Sequence, residues 1–235
     1  MFYLTHRDYA TLILDSGTLL IAFSIIYLIL QHRKKERADE GSFLVLLIMN
    51  IAMAAGDILG YLFEGKAFPG SRELSIIGMT VFYIAFVLLS MTWLHYCRIR
   101  FRDGDVPKLL RLAPAYLPGT VMLFLIVINI FTGWVFFYDA NWLYHRGVLF
   151  IPMYLMVTGY IIAGILCISK YRNHSAGRTP VPAWVFLLPI AAGVVFTFFV
   201  PNSASFAPFS TAVFITFSHM GTISEESSHK EPDRL

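Results

Sequence analysis

The sequence predicts an all-α integral membrane protein, a polytopic bundle of seven transmembrane helices with a short extracellular aromatic hairpin between helices four and five. Of the 235 residues, 57% are hydrophobic and 14% are charged, whereas soluble domains carry about 25% charged residues. Seven apolar runs have lengths that suit roughly 30 Å of hydrocarbon. The segments between these runs are alternately rich and poor in Lys and Arg, as cytoplasmic and external loops are.

The apolar runs define a seven-helix domain over 1–223, and the polar segment 224–235 is predicted to be a cytoplasmic tail or a linker. The first run is predicted to be a retained anchor, because its basic cluster follows the apolar residues whereas that of a signal peptide precedes them. The predicted spans are 9–30, 42–63, 74–97, 115–131, 148–169, 182–199 and 206–223.

The basic residues predict the orientation in the cell membrane. Fourteen of the 18 Lys and Arg residues fall on one set of alternate loops and in the tail. Because cytoplasmic loops carry the excess of basic residues, the N-terminus is predicted outside and the C-terminus in the cytoplasm. The net charge of +3 does not indicate nucleic-acid binding. Cys97 and Cys167 fall at the cytoplasmic ends of their runs, so free thiols are expected there.

Three polar residues inside the spans are candidate site residues. Asp15 and Asp57 each lie six residues from the outer end of a span, roughly 9 Å deep at 1.5 Å per residue. Ionisable groups at such depth usually face the bundle interior or a watery cavity. The pair could contact a ligand or ion, or each carboxyl could hydrogen-bond a neighbouring helix. Asn129 could likewise contact a ligand or hydrogen-bond a neighbouring helix.

The segment between the fourth and fifth runs is the most distinctive part of the chain. In this segment the residues Asp139-Ala140-Asn141 predict a turn, and aromatic residues lie on both sides of the turn. Polar side chains lie among the aromatic ones. An aromatic belt at the membrane interface would explain the Trp and Tyr residues but not the polar side chains. A lid or recognition hairpin also explains the polar ones, with Arg146 favouring an anionic ligand. The candidate ligand-binding residues here are Trp134, Tyr138, Asp139, Trp142, Tyr144, His145 and Arg146.

Residues 136–147, FFYDANWLYHRG, resemble the signature of a seven-helix membrane sensory region of Gram-positive bacteria. Residues 199–203, FVPNS, resemble the connection before the last helix of that family. The resemblance implies a sensory role ahead of a cytoplasmic GGDEF diguanylate cyclase or a histidine kinase. It also favours a homodimer, because such effectors are dimeric. Residues 233–235, DRL, resemble the opening of a GGDEF domain, so a longer chain and a stand-alone protein are both left open.

The leading functional prediction is a sensor that detects an extracellular or membrane-borne small molecule and signals through helix seven to an effector. A small transporter or channel is the alternative, although no inverted repeat is evident. Enzymatic activity is not expected, because the candidate nucleophiles and bases do not converge at one depth. No cofactor and no metal ion is expected, and the last span offers no lysine for a retinal Schiff base. The predicted partners are the lipid bilayer, the small molecule and the effector.

Overall fold

A computed structural model describes residues 6–32, 38–66, 68–101, 109–171 and 211. These residues are mostly helical, and one pair of short strands interrupts the helices. The helices are α1 (His6–His32), α2 (Ala38–Phe63), α3 (Ser71–Phe101), α4 (Leu109–Val127), α5 (Asn129–Thr132) and α6 (Phe150–Tyr171), and the strands are β1 (Phe136–Tyr138) and β2 (Tyr144–Arg146).

Four of the described helices, α1, α2, α3 and α6, are long and apolar enough to cross a membrane. The membrane character predicted from composition is therefore confirmed. The prediction of seven crossings is not supported by the described residues, which contain four such helices. The apolar part of α4, Pro114–Val127, spans only about 21 Å at 1.5 Å per residue, short of the roughly 30 Å required. The predicted spans 182–199 and 206–223 lie outside the described residues, except for Thr211.

The core of the bundle is built around α3, which packs against α2, α4 and α6, while α1 packs against α2. The largest fully buried side chains, Trp93, Tyr83 and Phe82, all lie on α3. By contrast, α1 leaves large apolar side chains uncovered, including Leu20 at 69% exposure and Tyr27 at 65%. A water-facing helix would be polar on its exposed side, so this arrangement fits contact with lipid.

Close packing of α2 on α3 depends on a seam of three glycines. A Cβ added at Gly56 would lie 2.7 Å from the Gly78 carbonyl oxygen. One added at Gly78 would lie 2.5 Å from the Gly60 backbone nitrogen. These contacts are tighter than real Cβ atoms make, so the two backbones approach as closely as they do because side chains are missing. Small residues serve the same purpose at many helix interfaces in membranes.

A tyrosine hydroxyl is inserted into the backbone hydrogen bonding of α4. The Tyr160 hydroxyl donates to the Ala115 carbonyl (2.9 Å) and accepts from the Gly119 N–H (3.0 Å). Those two backbone groups are four residues apart, which is the spacing of a helical hydrogen bond. Pro118 lies in the same turn and has no N–H to donate. One side chain of α6 therefore bonds both ends of a single turn of α4.

The segment between α5 and α6 contains the two strands, and we name residues 134–147 the aromatic ribbon. The strands pair antiparallel, with Phe136 opposite Arg146 and Tyr138 opposite Tyr144. The Gly147 N–H extends the pairing by donating to the Val135 carbonyl (2.8 Å). The ribbon lies at the end of the bundle where α2 ends and α3 begins, and its contacts there form the candidate site.

Candidate functional site

The start of the aromatic ribbon is held by Asn129, whose side chain is buried. Its Oδ1 accepts from the Val135 N–H (2.7 Å), and its Nδ2 donates to the Phe136 carbonyl (2.9 Å). Gly133 ends α5 in the left-handed conformation, with φ 63°, and its N–H donates to the Asn129 carbonyl. This turn requires a residue that tolerates positive φ. The amide predicted as a ligand contact is thus bonded at both ends to ribbon backbone.

Tyr138 connects the ribbon to α3 and α2. Its hydroxyl lies 2.7 Å from the Ser75 hydroxyl, which in turn donates to the Gly60 carbonyl (2.7 Å). Burial raises the pKa of Tyr138, the Ser75 bond opposes that shift, and the nearby carboxyls of Glu64 and Asp57 add to it. Tyr138 is therefore a neutral hydrogen-bonding group at neutral pH, placed between the ribbon and the acidic residues of α2.

Tyr144 makes a second connection to the same two helices. Its hydroxyl hydrogen-bonds the hydroxyl of Tyr83 on α3, and its backbone N–H donates to Glu64 Oε1 at 2.7 Å. The side chain is almost fully buried, and this burial is the main reason that the pKa of Tyr144 is raised. A buried tyrosine hydroxyl requires a partner. The Tyr83–Tyr144 pair meets that requirement for both residues.

The turn between the strands is organised by Asp139. Its Oδ1 accepts from the N–H groups of Asn141 (2.8 Å) and Leu143 (3.0 Å), and its Oδ2 lies 3.1 Å from His145 Nε2. The Leu143 bond, followed by the His145 contact, holds the pKa of Asp139 below its ordinary value. Hydrogen bonds to the ionised form have this effect. Asp139 is thus an ionised group whose bonds stay within the ribbon.

Trp142 of the ribbon packs between Tyr138 and Arg72, at the start of α3. Its φ is 61°, an uncommon backbone conformation for a bulky residue. Its ring stacks on Tyr138 with centroids 6.0 Å apart, and the Arg72 guanidinium carbon lies 3.3 Å from the ring centroid. A cation over a tryptophan face contributes about 0.5–2 kcal/mol. The Trp142 carbonyl also accepts from the Gly65 N–H (3.1 Å).

Five of the other ribbon side chains form its uncovered surface and the edge of that surface. Trp134, Phe137 and Leu143 are each almost half exposed, at 46%, 46% and 47%. His145 is stacked on Phe137 with centroids 5.4 Å apart. The predicted anion-binding residue Arg146 lies with its guanidinium carbon 4.5 Å from the Phe150 ring centroid. This surface combines aromatic faces with a histidine and an arginine at its edge.

Asp15 and Asp57 are both fully buried, with 0% exposure. They lie on the packed helices α1 and α2, and the Asp57 carboxyl acts electrostatically on that of Asp15. The sequence placed them at similar depth but did not place them side by side. Asn50, two turns before Asp57 on α2, donates to the Thr211 hydroxyl at 2.6 Å. Polar side chains therefore line the face of α2 below the ribbon.

No protein-family model, curated protein or solved structure matches the chain. The likeness of residues 136–147 and 199–203 to the Gram-positive sensory regions consequently stays a prediction.

Sequence reasoning missed the helix residues that receive the ribbon. Ser75, Tyr83 and Glu64 were not among the candidates, yet each contacts a ribbon tyrosine. One signal was available, because a tyrosine inside an apolar span has a hydroxyl that needs a partner. That signal does not identify the partner. Tyr83, for example, bonds Tyr144, which lies 61 residues later in the chain.

Proposed function

We propose that this chain is a membrane sensor in which the aromatic ribbon is the input element. A small molecule that arrives from outside the cell contacts the uncovered ribbon surface and alters how the ribbon is seated on α2 and α3. The altered helix packing passes to a cytoplasmic effector, in the same chain or in a partner protein.

The observation that supports this proposal most is the pair of tyrosine connections. The Tyr138 and Tyr144 hydroxyls bond Ser75 and Tyr83, two turns apart on α3. Glu64, the residue after α2, accepts a hydrogen bond from the backbone N–H of Tyr144 on β2. A change in ribbon position must break or shift these bonds, and each costs roughly 0.5–1.5 kcal/mol net. A ligand that favours one ribbon position therefore favours one arrangement of α2 and α3.

Five of the candidate ligand-binding residues fall into two groups under this proposal. Tyr138, Asp139 and Tyr144 transmit or maintain the ribbon geometry, since their polar atoms are bonded within the protein. Trp134 and His145 are more exposed and are the first to meet a ligand. A partly apolar surface with few polar groups suits a small amphipathic or anionic molecule.

The coupling can be tested without knowing the ligand. The whole chain is fused to a diguanylate cyclase, an epitope is inserted after the exposed residue Ala140, and an antibody fragment against the epitope is added outside the cells. We expect cyclic dinucleotide output to change on addition. Tyr144→Phe, which removes the hydroxyl bonded to Tyr83, should reduce the change. Tyr27→Phe is the matched control, because Tyr27 lies on the exposed face of α1.

If the antibody fragment binds and the output stays constant, the ribbon is not an input element. If Tyr144→Phe and Tyr27→Phe give the same response, the tyrosine connections do not carry the signal. Either result would leave the ribbon as an interfacial aromatic belt.

A small transporter is the second candidate, favoured by the buried carboxyl pair. Ionisable residues inside membrane helices often mark substrate or ion pathways. Purified protein in liposomes that contain a pH-sensitive dye would show proton or ion flux on applying a gradient. Flux that Asp57→Asn abolishes would favour the transporter over the sensor.

A further inference from the structure

The carboxyl groups of Asp15 and Asp57 present an unusual electrostatic problem. Both side chains have 0% exposure, and both belong to helices that are apolar enough to cross a membrane. Burying one ionised carboxylate away from water is costly, and burying two in contact is more so, since like charges repel. An arrangement of this kind requires a counter-charge or a proton.

No counter-charge acts on Asp15 among the residues that the structure describes. The group that acts on Asp15 there is Asp57, and no lysine, arginine or histidine does so. From the aromatic ribbon, Tyr138 faces Asp57, and it is neutral at neutral pH. Glu64, near the end of α2, also acts on Tyr138 and adds further negative charge to this region. The described groups that act on Asp15 therefore add negative charge and supply no cation.

Hydrogen bonding leads to the same conclusion. Neither carboxyl oxygen of Asp15 receives a bond from a donor group within the described part of the chain. An ionised carboxylate is an acceptor only, so two ionised groups cannot bond each other. A proton on either one supplies the missing donor and creates a hydrogen bond between the two side chains. Such an O–H···O⁻ bond is among the shortest and strongest in proteins.

A metal cation is the other way to neutralise two carboxylates. Calcium takes six to eight oxygen ligands and magnesium prefers six. Across the described ranges, no group of three or more His, Cys, Asp or Glu side chains is arranged to hold a metal ion. Two carboxyls on packed helices fit a shared proton better.

We propose that Asp15 and Asp57 form a proton-binding site that holds one proton between α1 and α2 at neutral pH. The proton joins two helices that would otherwise repel each other. Its loss in alkali separates them. The site would have this property in a sensor and in a transporter alike.

Infrared spectroscopy of the full chain in lipid nanodiscs tests the site directly. A protonated carboxyl has a carbonyl stretching band that is distinct from those of a carboxylate. We expect the wild-type protein to show this band at neutral pH and to lose it in alkali. The Asp15→Asn, Asp57→Asn double variant should lack the band. The control Glu73→Gln, which alters an exposed carboxyl at the start of α3, should keep it.

Thermal unfolding provides a second measurement for folded variants. Asp15→Asn supplies a permanent N–H donor to Asp57. Its melting temperature should therefore fall less than that of the wild type between neutral and alkaline pH. Glu73→Gln should follow the wild type. Should the double variant fail to fold, the wild-type infrared titration alone still decides the matter.

Two results would overturn the proposal. One is a wild-type spectrum without a protonated carboxyl band at neutral pH. The other is a carboxyl spectrum that shifts on adding sodium or calcium chloride at constant pH, which would show that a metal cation occupies the pair.

Discussion

The glycine seam between α2 and α3 permits a quantitative prediction for Gly78→Ala. The added Cβ would lie 2.5 Å from the Gly60 backbone nitrogen and 2.8 Å from the Gly56 carbonyl oxygen. Both contacts are to backbone atoms, which cannot rotate away. Ordinary contact begins at 3.4 Å, so the helices must separate locally by about 0.9 Å. Overpacking of this kind costs about 1–3 kcal/mol.

A matched control separates this effect from helix propensity. Replacing a helical glycine with alanine stabilises the helix itself by up to about 1 kcal/mol. Gly159 lies on α6 with nothing within 4 Å of an added Cβ, so Gly159→Ala shows the propensity gain alone. Gly78→Ala should therefore be about 1–3 kcal/mol less stable than Gly159→Ala. Gly60→Ala should fall between them, because its nearest atom belongs to the flexible side chain of Met79.

The assay is equilibrium unfolding from mild micelles into a denaturing detergent, followed by far-ultraviolet circular dichroism. The expected order of stability is Gly159→Ala, then Gly60→Ala, then Gly78→Ala. Equal unfolding midpoints for Gly78→Ala and Gly159→Ala would refute close backbone packing of α2 on α3. A Gly60→Ala variant less stable than Gly78→Ala would show that the Met79 side chain is more constrained than the backbone of α2.

Three further predictions concern the ribbon and the topology. Asn129→Ala should leave buried ribbon backbone groups without partners, at a cost of about 1–3 kcal/mol, and amide hydrogen exchange of the ribbon should accelerate. Because the pKa of Asp139 is lowered in the folded protein, its contribution is complete above the ordinary value of 3.8 and is lost as the pH falls through the folded value. Protection of the Asn141 amide should therefore decrease in acid, and Asp139→Ala should show low protection at every pH. A reporter fused after Leu235 should be cytoplasmic and one inserted after Asp139 external, and both on one side would contradict the topology derived from the basic residues.

The sequence predicted the helices better than their contacts. The span predicted over 42–63 ends at the same residue as α2, because apolar residues continue to Phe63 and polar residues follow. The span over 74–97 is shorter than α3, which begins at Ser71 and continues to Phe101. Hydropathy marks the part of a helix that lies in lipid, while backbone hydrogen bonding extends into the polar regions at either end.

The candidate site was predictable only in part. Asp15 and Asp57 were identified by their depth, which follows from residue counting along each span. Their contact depends on how each helix is rotated about its axis. A helix that is apolar on all sides, as α1 is, gives little sign of which side faces its neighbour. The partners of Tyr138 and Tyr144 were hidden for a related reason, since they lie on helices distant in sequence.

The Tyr160 hydroxyl inserted in α4 has a mechanical consequence. A helix whose hydrogen bonds are all internal can slide along a neighbour while keeping every bond. Because the Tyr160 hydroxyl bonds both Ala115 and Gly119, axial sliding of α4 past α6 must break these two hydrogen bonds. Rotation of the helices about Tyr160 can keep both bonds, so this contact opposes sliding more than pivoting.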